Sequence, residues 1–368
     1  MKQTISSFLE LGGPEGLGSL LAHQGETVDS AERVVRVIWE AIREGILTPG
    51  QSFPTAEGLA HLTGENEATC AEDVGELLRS GVVKQNLAVT SGSVITIAAG
   101  NVTLDLSGHL LSSTDINGAL ILIEPGAGKV IIRNGNLSGG NAGIRYASTV
   151  TPAHVSIQGV WIRDTYGDGI DICNGEMVEV IDSFVEVGTD GWGVHICQGK
   201  ARIVGNRIRS AGDGSAVLLF ETDNSQVVDN ILTAAGSPSS IGVHVSGGHG
   251  NLVRDNTFDG GNAVYITGDS SGNLVLQNVV ARSAEYGVWV NSDRNRIVGN
   301  TLNDSAFDSL GITGSYNLIE GNQIIGSGGC GILFGTAGNN AYRGNMFGDN
   351  NGGAVCGPAN LNAGGNIP

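Results

Sequence analysis

The chain has 368 residues, 59 of them glycine, with aromatic residues at 5% and a formal net charge of -18. So much glycine and so few rings exclude several globular cores of the usual kind, and fit short strands punctuated by turns. The charge argues against a nucleic acid or an anionic membrane surface as partner, because phosphate binding is supplied by cations.

Residues 1–28 carry one lysine, scattered acids and no apolar run of signal-peptide length, and no later segment reads as a membrane span. Five cysteines, Cys70, Cys173, Cys197, Cys330 and Cys356, form no CxxC pair. An odd number without paired spacing predicts neither a disulfide framework nor a zinc cage. Reduced thiols and the absent leader together predict a cytoplasmic location.

Residues 29–84 read as helices. Asp29-Ser30-Ala31-Glu32 is a capping signal, followed at helical spacing by Val34, Val35, Ile38, Ile42 and Ile46 until Pro49-Gly50. Two shorter helices follow, over about Thr55 to Leu62 and Asn66 to Arg79. The stretch AIREGILTPGQSFPTAEGLAHLTGENEATCAEDVGELLRSGVVK resembles the winged-helix domain of the GntR family of bacterial regulators over about 45 residues. That family reads DNA with basic residues on its second and third helices. Here those positions carry Glu57, Glu65, Glu67, Glu72, Asp73 and Glu76, with Arg79 alone opposing them. Phosphates would repel such a surface, so this domain is expected to cap the next one or to dock a protein or peptide.

From residue 85 to 357 the period changes. Asn206, Asn230, Asn256, Asn278, Asn300, Asn322 and Asn345 recur at steps of 24, 26, 22, 22, 22 and 23 residues. Between them lie Gly-apolar-X-apolar strands. A period in the low twenties predicts one coil of a parallel β-helix per repeat, each about 4.8 Å above the last. The asparagines read as a stacked ladder at a bend where an Asn tolerates left-handed backbone angles. The fold class is therefore mainly β, a right-handed parallel β-helix solenoid with a small winged-helix-like helical domain before it and a tail over 358–368. This pattern resembles the β-helix superfamily of pectate lyases, polygalacturonases, alginate epimerases and NosD-like proteins.

In each Gly-apolar-X-apolar strand, X must point outward, because its neighbours fill the core. Down the coils X reads Arg145, Asp171, His195, Leu218, His244, Tyr265 and Trp289, then less clearly Leu333. The next outward row is Cys173, Cys197, Phe220, Ser246, Thr267 and Asn291. Leu218 and Phe220 would floor a groove between His195 and His244, which stand two coils or about 9 to 10 Å apart. Trp192 and Tyr166 lie just before two of these strands and are candidate substrate contacts. Cys173 and Cys197 read as stacked thiols. Asp168, Asp190 and Asp213, at steps of 22 and 23 residues, form a further row. They read either as Asp-Gly turns or as a Ca²⁺ site or acid/base cluster.

Local motifs add faint resemblances. DTYGDGIDI resembles the Asn-Thr-Asp motif of polygalacturonases, and GGHG at Gly247 to Gly250 their Gly-His-Gly, which would make Asp168 and His249 catalytic. Tyr166-Gly167-Asp168 also resembles the start of the alginate epimerase motif, which continues Pro-His-Asp where this chain has Gly-Ile-Asp.

The leading expectation is an intracellular lyase or isomerase that needs no cofactor beyond a possible Ca²⁺. His195 or His244 would take a proton beside a carbonyl or carboxylate, and Tyr265 or the other histidine would return it. Arg145 with Asp171 would orient a carboxylate, and Trp289 would stack on a small-molecule, saccharide or peptide substrate. Two other readings stay open: a non-catalytic glycan- or peptide-binding β-helix, and a ligand-sensing regulator that uses the winged-helix-like domain.

Overall fold

The computed structural model describes residues 80–368, apart from 99, 147–153, 189, 190, 236, 238, 337 and 368. The expected winged-helix-like region lies outside the described residues except at its last few positions, and Cys70 and Asp190 lie outside them too. The chain divides into two units, Met1–Gly81 and Val82–Pro368, and the described residues are nearly all of the second. Among them no helix is long and apolar enough to cross a membrane.

The second unit is the expected parallel solenoid. One face is a twelve-stranded sheet running from Ile95–Ile97 to Gly353–Cys356. The other two faces merge into one larger sheet, because Lys129–Gly139 and His154–Thr165 each run unbroken around a corner and pair on both sides of it. Alternation decides which way each side chain points. In Val194–Cys197 the valine and isoleucine are buried while His195 and Cys197 face out. No coil could bury this narrow apolar row by itself, so each depends on the coils above and below.

The glycine that opens the face-one strands is there for space. A Cβ at Gly193 would collide with the Ile208 side chain and the Ala216 carbonyl, and one at Gly242 with the Phe258 ring and the Ala263 carbonyl. The core is one residue thick at this edge, and backbone fills it.

The asparagine ladder is present and continues to Asn366. Asn278 accepts from the Asn256 backbone N–H at 3.0 Å and from its amide at 3.0 Å, while its own amide donates to Asn300 Oδ1 at 2.9 Å and to the Val253 carbonyl at 2.9 Å. Its backbone differs from the expectation. The left-handed residue is the one before each asparagine, such as Asp229, Asp255 and Gln277, with φ of 56°, 55° and 55°. That residue makes the turn, and the asparagine then satisfies the donors and acceptors the turn exposes inside. A second ladder, Asn251, Asn273, Asn295, Asn317 and Asn340, does the same at the corner that follows face one, and the sequence reading did not separate it from the first.

The cysteines correct another expectation. Cys173 bonds to Cys197 and Cys330 to Cys356 as disulfides. Their separations of 24 and 26 residues are one coil each, which brings the paired Cα atoms to 4.5 and 6.1 Å. The spacing that lacked any CxxC was a coil-to-coil spacing.

Replacing Asn278 with alanine would strand the buried Asn256 amide and the Val253 carbonyl, so it should lower unfolding free energy by about 2–3 kcal/mol in urea titrations. A loss well under 1 kcal/mol would mean that the ladder contributes little beyond filling space.

Candidate active site

The residues with chemistry lie on face one and on the turns that lead into it. Register places Arg145, Asp171, His195, Leu218, His244, Tyr265 and Trp289 side by side on consecutive strands, as their spacing predicted. The row then passes through Gly311 before Leu333, and Gly311 is the member that the motif did not show. A Cβ there would collide with the Trp289 indole, so that ring lies across the gap Gly311 leaves.

At one end of the row the polar groups converge. The Arg145 guanidinium donates from Nε to Asp171 at 3.1 Å and from Nη2 to Asn141 Oδ1 at 2.7 Å. The other Asp171 oxygen accepts from His195 Nδ1 at 3.1 Å. Burial pushes the Asp171 carboxyl up, but the hydrogen bond and charge of His195, joined by Arg145, hold it below its usual range. Arg145 is therefore committed to Asp171, which leaves it a poorer clamp for a substrate carboxylate than its place in the row implied.

Asp168 belongs to this group. Its oxygen lies within 4.8 Å of ligand atoms of Asp171 and His195, and it accepts the Trp192 backbone N–H at 2.8 Å. Burial, with the charge of Asp171 adding to it, holds its carboxyl above its usual range despite that hydrogen bond. Trp192 completes the wall, its ring centroid 4.6 Å from that of His195. Tyr166 is 61% exposed, and Asp213 is exposed and outside this group. Of the expected Asp168, Asp190 and Asp213 row, Asp190 lies outside the described residues, and Asp168 is grouped with Asp171 and His195. A second set of ion-binding atoms, Cys173, His195 and Cys197, also lies within 4.8 Å.

Leu218 is buried at 7% exposure and Phe220 is 40% exposed, so the apolar floor is continuous below and open above. Beyond it the face becomes aromatic. His244 stacks on Tyr265 with centroids 5.2 Å apart and bonds Thr267 Oγ1 through Nε2 at 3.0 Å. Burial lowers its imidazole to about 4, so it is neutral near pH 7. Tyr286, which sequence reasoning missed, sits 4.3 Å from Trp289 and helps enclose a cavity of about 280 Å³. It lies on the turn into face one, where only Trp192 and Tyr166 had been noticed. His249, the other motif candidate, lies past the end of strand Ile241–Ser246, exposed, with Nδ1 against Ser271 Oγ at 2.9 Å.

The sequence pattern of a family described as periplasmic copper-binding protein (NosD) matches residues 88–269 and, overlapping them, 198–360. No curated protein matches the chain. Solved structures with a similar fold include the mannuronan C-5 epimerase AlgE4 A-module of Azotobacter vinelandii, at 16% identity and TM-score 0.59, covering 79% of this chain and 93% of that one. The periplasmic alginate epimerase AlgG is similar at 13% identity and TM-score 0.57, covering 94% and 99%. The A. vinelandii AlgE6 A-module is similar at 17% and 0.51, covering 83% and 96%. At these identities the likeness is one of fold. The cytoplasmic placement is overturned by the family match, whose description is periplasmic, and the two disulfides fit an oxidising compartment.

The buried His244 makes a pH prediction. Its folded value of about 4 lies below the ordinary 6.5, so the unfolded chain takes up a proton that the folded one refuses. The stability it contributes is complete above about pH 6.5 and is lost as pH falls toward 4. Across that window wild type should lose more stability than His244→Gln, by up to about 3 kcal/mol. Parallel stability curves for the two proteins would show that the imidazole is not desolvated.

Proposed function

Because the chain belongs to the NosD family, whose pattern spans residues 88–360 of its 368, and its fold is shared with saccharide-modifying β-helices, we propose that it is an extracytoplasmic carbohydrate-active enzyme. Its reaction is proton transfer to and from a sugar ring, and its site is the Arg145 end of face one.

The observation that supports this reading is a pair of neighbouring carboxyls driven in opposite directions. Asp171 is held ionised and Asp168 is held toward its protonated form. Such a split is how one site keeps a base and an acid together near neutral pH. Asp171 fixes the His195 ring by accepting from Nδ1, which leaves the Nε2 lone pair to take a proton from a carbon beside a carboxylate or carbonyl. Asp168 then serves as a hydrogen-bond donor to the anion that forms, or as the source of the returning proton. Return to the opposite ring face gives an epimer. Trp192 and Phe220 border the ring.

Solvent deuterium reports this step directly. Incubated in D₂O with oligomers of mannuronate, guluronate, galacturonate and glucuronate, the protein should place deuterium at the reacting carbon of at least one. His195→Gln and Asp171→Asn should each slow that exchange by roughly 10²-fold with melting temperatures unchanged. No exchange into any of the four oligomers, or full activity in both variants, would defeat the proposal.

A second reading comes from the copper in the family description. Two thiolates and an imidazole suit Cu(I), and Cys173, Cys197 and His195 stand close enough to share an ion. A disulfide supplies no thiolate, so these residues fit the metal only when the 173–197 bond is reduced. The reduced protein should then bind one Cu(I) that the oxidised protein and Cys173→Ser do not. Equal binding by all three forms would rule this site out.

A further inference from the structure

The aromatic end of face one holds a cavity of its own, separated from His195 by the coils of Leu218 and His244. The cavity, of about 280 Å³, is lined by Tyr265, Tyr286 and Trp289, with Glu285, Asn262 and Ile241 beside them. Tyr286 and Trp289 meet at 56° and so present two ring faces at an angle, and Phe307 extends the wall 6.3 Å beyond Tyr286. The parts are fixed. The Tyr286 backbone donates to Asn262 Oδ1 at 2.9 Å, the Phe307 N–H bonds the Glu285 carbonyl at 2.9 Å, and Gly311 leaves the space in which the indole lies.

Its charge is one-sided. Among the described residues that line it none is cationic, and Asp308 joins Glu285 as a second carboxylate whose charge reaches Tyr286. After burial, these two charges are what hold the Tyr286 hydroxyl above its usual range, so their field reaches the ring. Angled ring faces attract a cation through their quadrupoles, and two carboxylates beside them strengthen the attraction. They also repel an acidic sugar. The whole chain, at -18, favours a cationic ligand over an anionic one.

The geometry points to a subsite for a protonated amino sugar, the ring stacked on Trp289 and Tyr286 and the ammonium directed at Glu285. Three coils lie between His195 and Tyr265, about 14 Å, so this subsite would hold a unit two or three sugars from any reacting one. It specifies what else the saccharide carries, and it does not depend on the acid/base reading.

Calorimetry at mildly acidic pH and low salt would test it, with a glucosamine tetrasaccharide and its fully N-acetylated counterpart as probes. The amine form should bind about 10-fold or more tightly than the acetylated one. Trp289→Ala should abolish binding of both, and Glu285→Gln should erase the preference while keeping its melting temperature. Equal affinity for the two probes, a preference that survives Glu285→Gln, or no binding of either probe would overturn the subsite. Binding in a protein that shows no deuterium exchange would instead defeat the catalytic reading and leave this one standing.

Discussion

The constraint on which this molecule rests is the need to pair buried backbone polar groups at its corners. A strand can hand its N–H and C=O groups to the coils above and below, but a sharp turn breaks that pattern. At two of the corners one asparagine per coil repairs it. Asn256 and its neighbours donate their amides up to the next coil and inward to a strand carbonyl, and accept a backbone N–H in return. Because every amide reaches one coil and no further, the ladder sets the repeat at one turn of chain. Because it is buried, a slip of one residue would strand a whole row of polar groups.

That register is what allows a flat face to hold chemistry. Side chains as far apart in sequence as Arg145 and Trp289 become neighbours in a line, each a coil from the next. Along the line the character changes from charged to apolar to aromatic. At the charged end the one cation is neutralised by Asp171, so the local balance stays negative once Asp168 loses its proton. At the aromatic end the charges of Glu285 and Asp308 reach the Tyr286 ring. Such a surface suits a linear ligand laid along the axis, with different units of it meeting different chemistry.

The periodic features were legible in the sequence because the fold copies them at fixed intervals. Seven asparagines and the outward row could each be read as a step of 21 to 26 residues. What escaped was whatever did not repeat. Gly311 stands in the row without a side chain to announce it, and Tyr286 lies on a turn whose counterparts in other coils carry unlike residues. The pairing of Asp168 with Asp171 joins two different outward positions of one strand entry, which spacing alone cannot place at contact distance. The cysteines were a failure of another kind. Their 24- and 26-residue separations carried the coil signal, but they were judged by rules for compact disulfide domains. The left-handed turn residue was misplaced by one for a similar reason. Gly205, Asp229 and Gln277 share a backbone angle and no side-chain chemistry, so only the asparagine after them was visible.

The Cys330–Cys356 bond joins the final strand of face one to the strand below it. A stack in which each layer touches only its neighbours comes apart from its ends, where a layer has one partner instead of two. Covalent closure there means that the last layer cannot peel away by itself. A protease reaching either of these two layers would have to wait for both to open together.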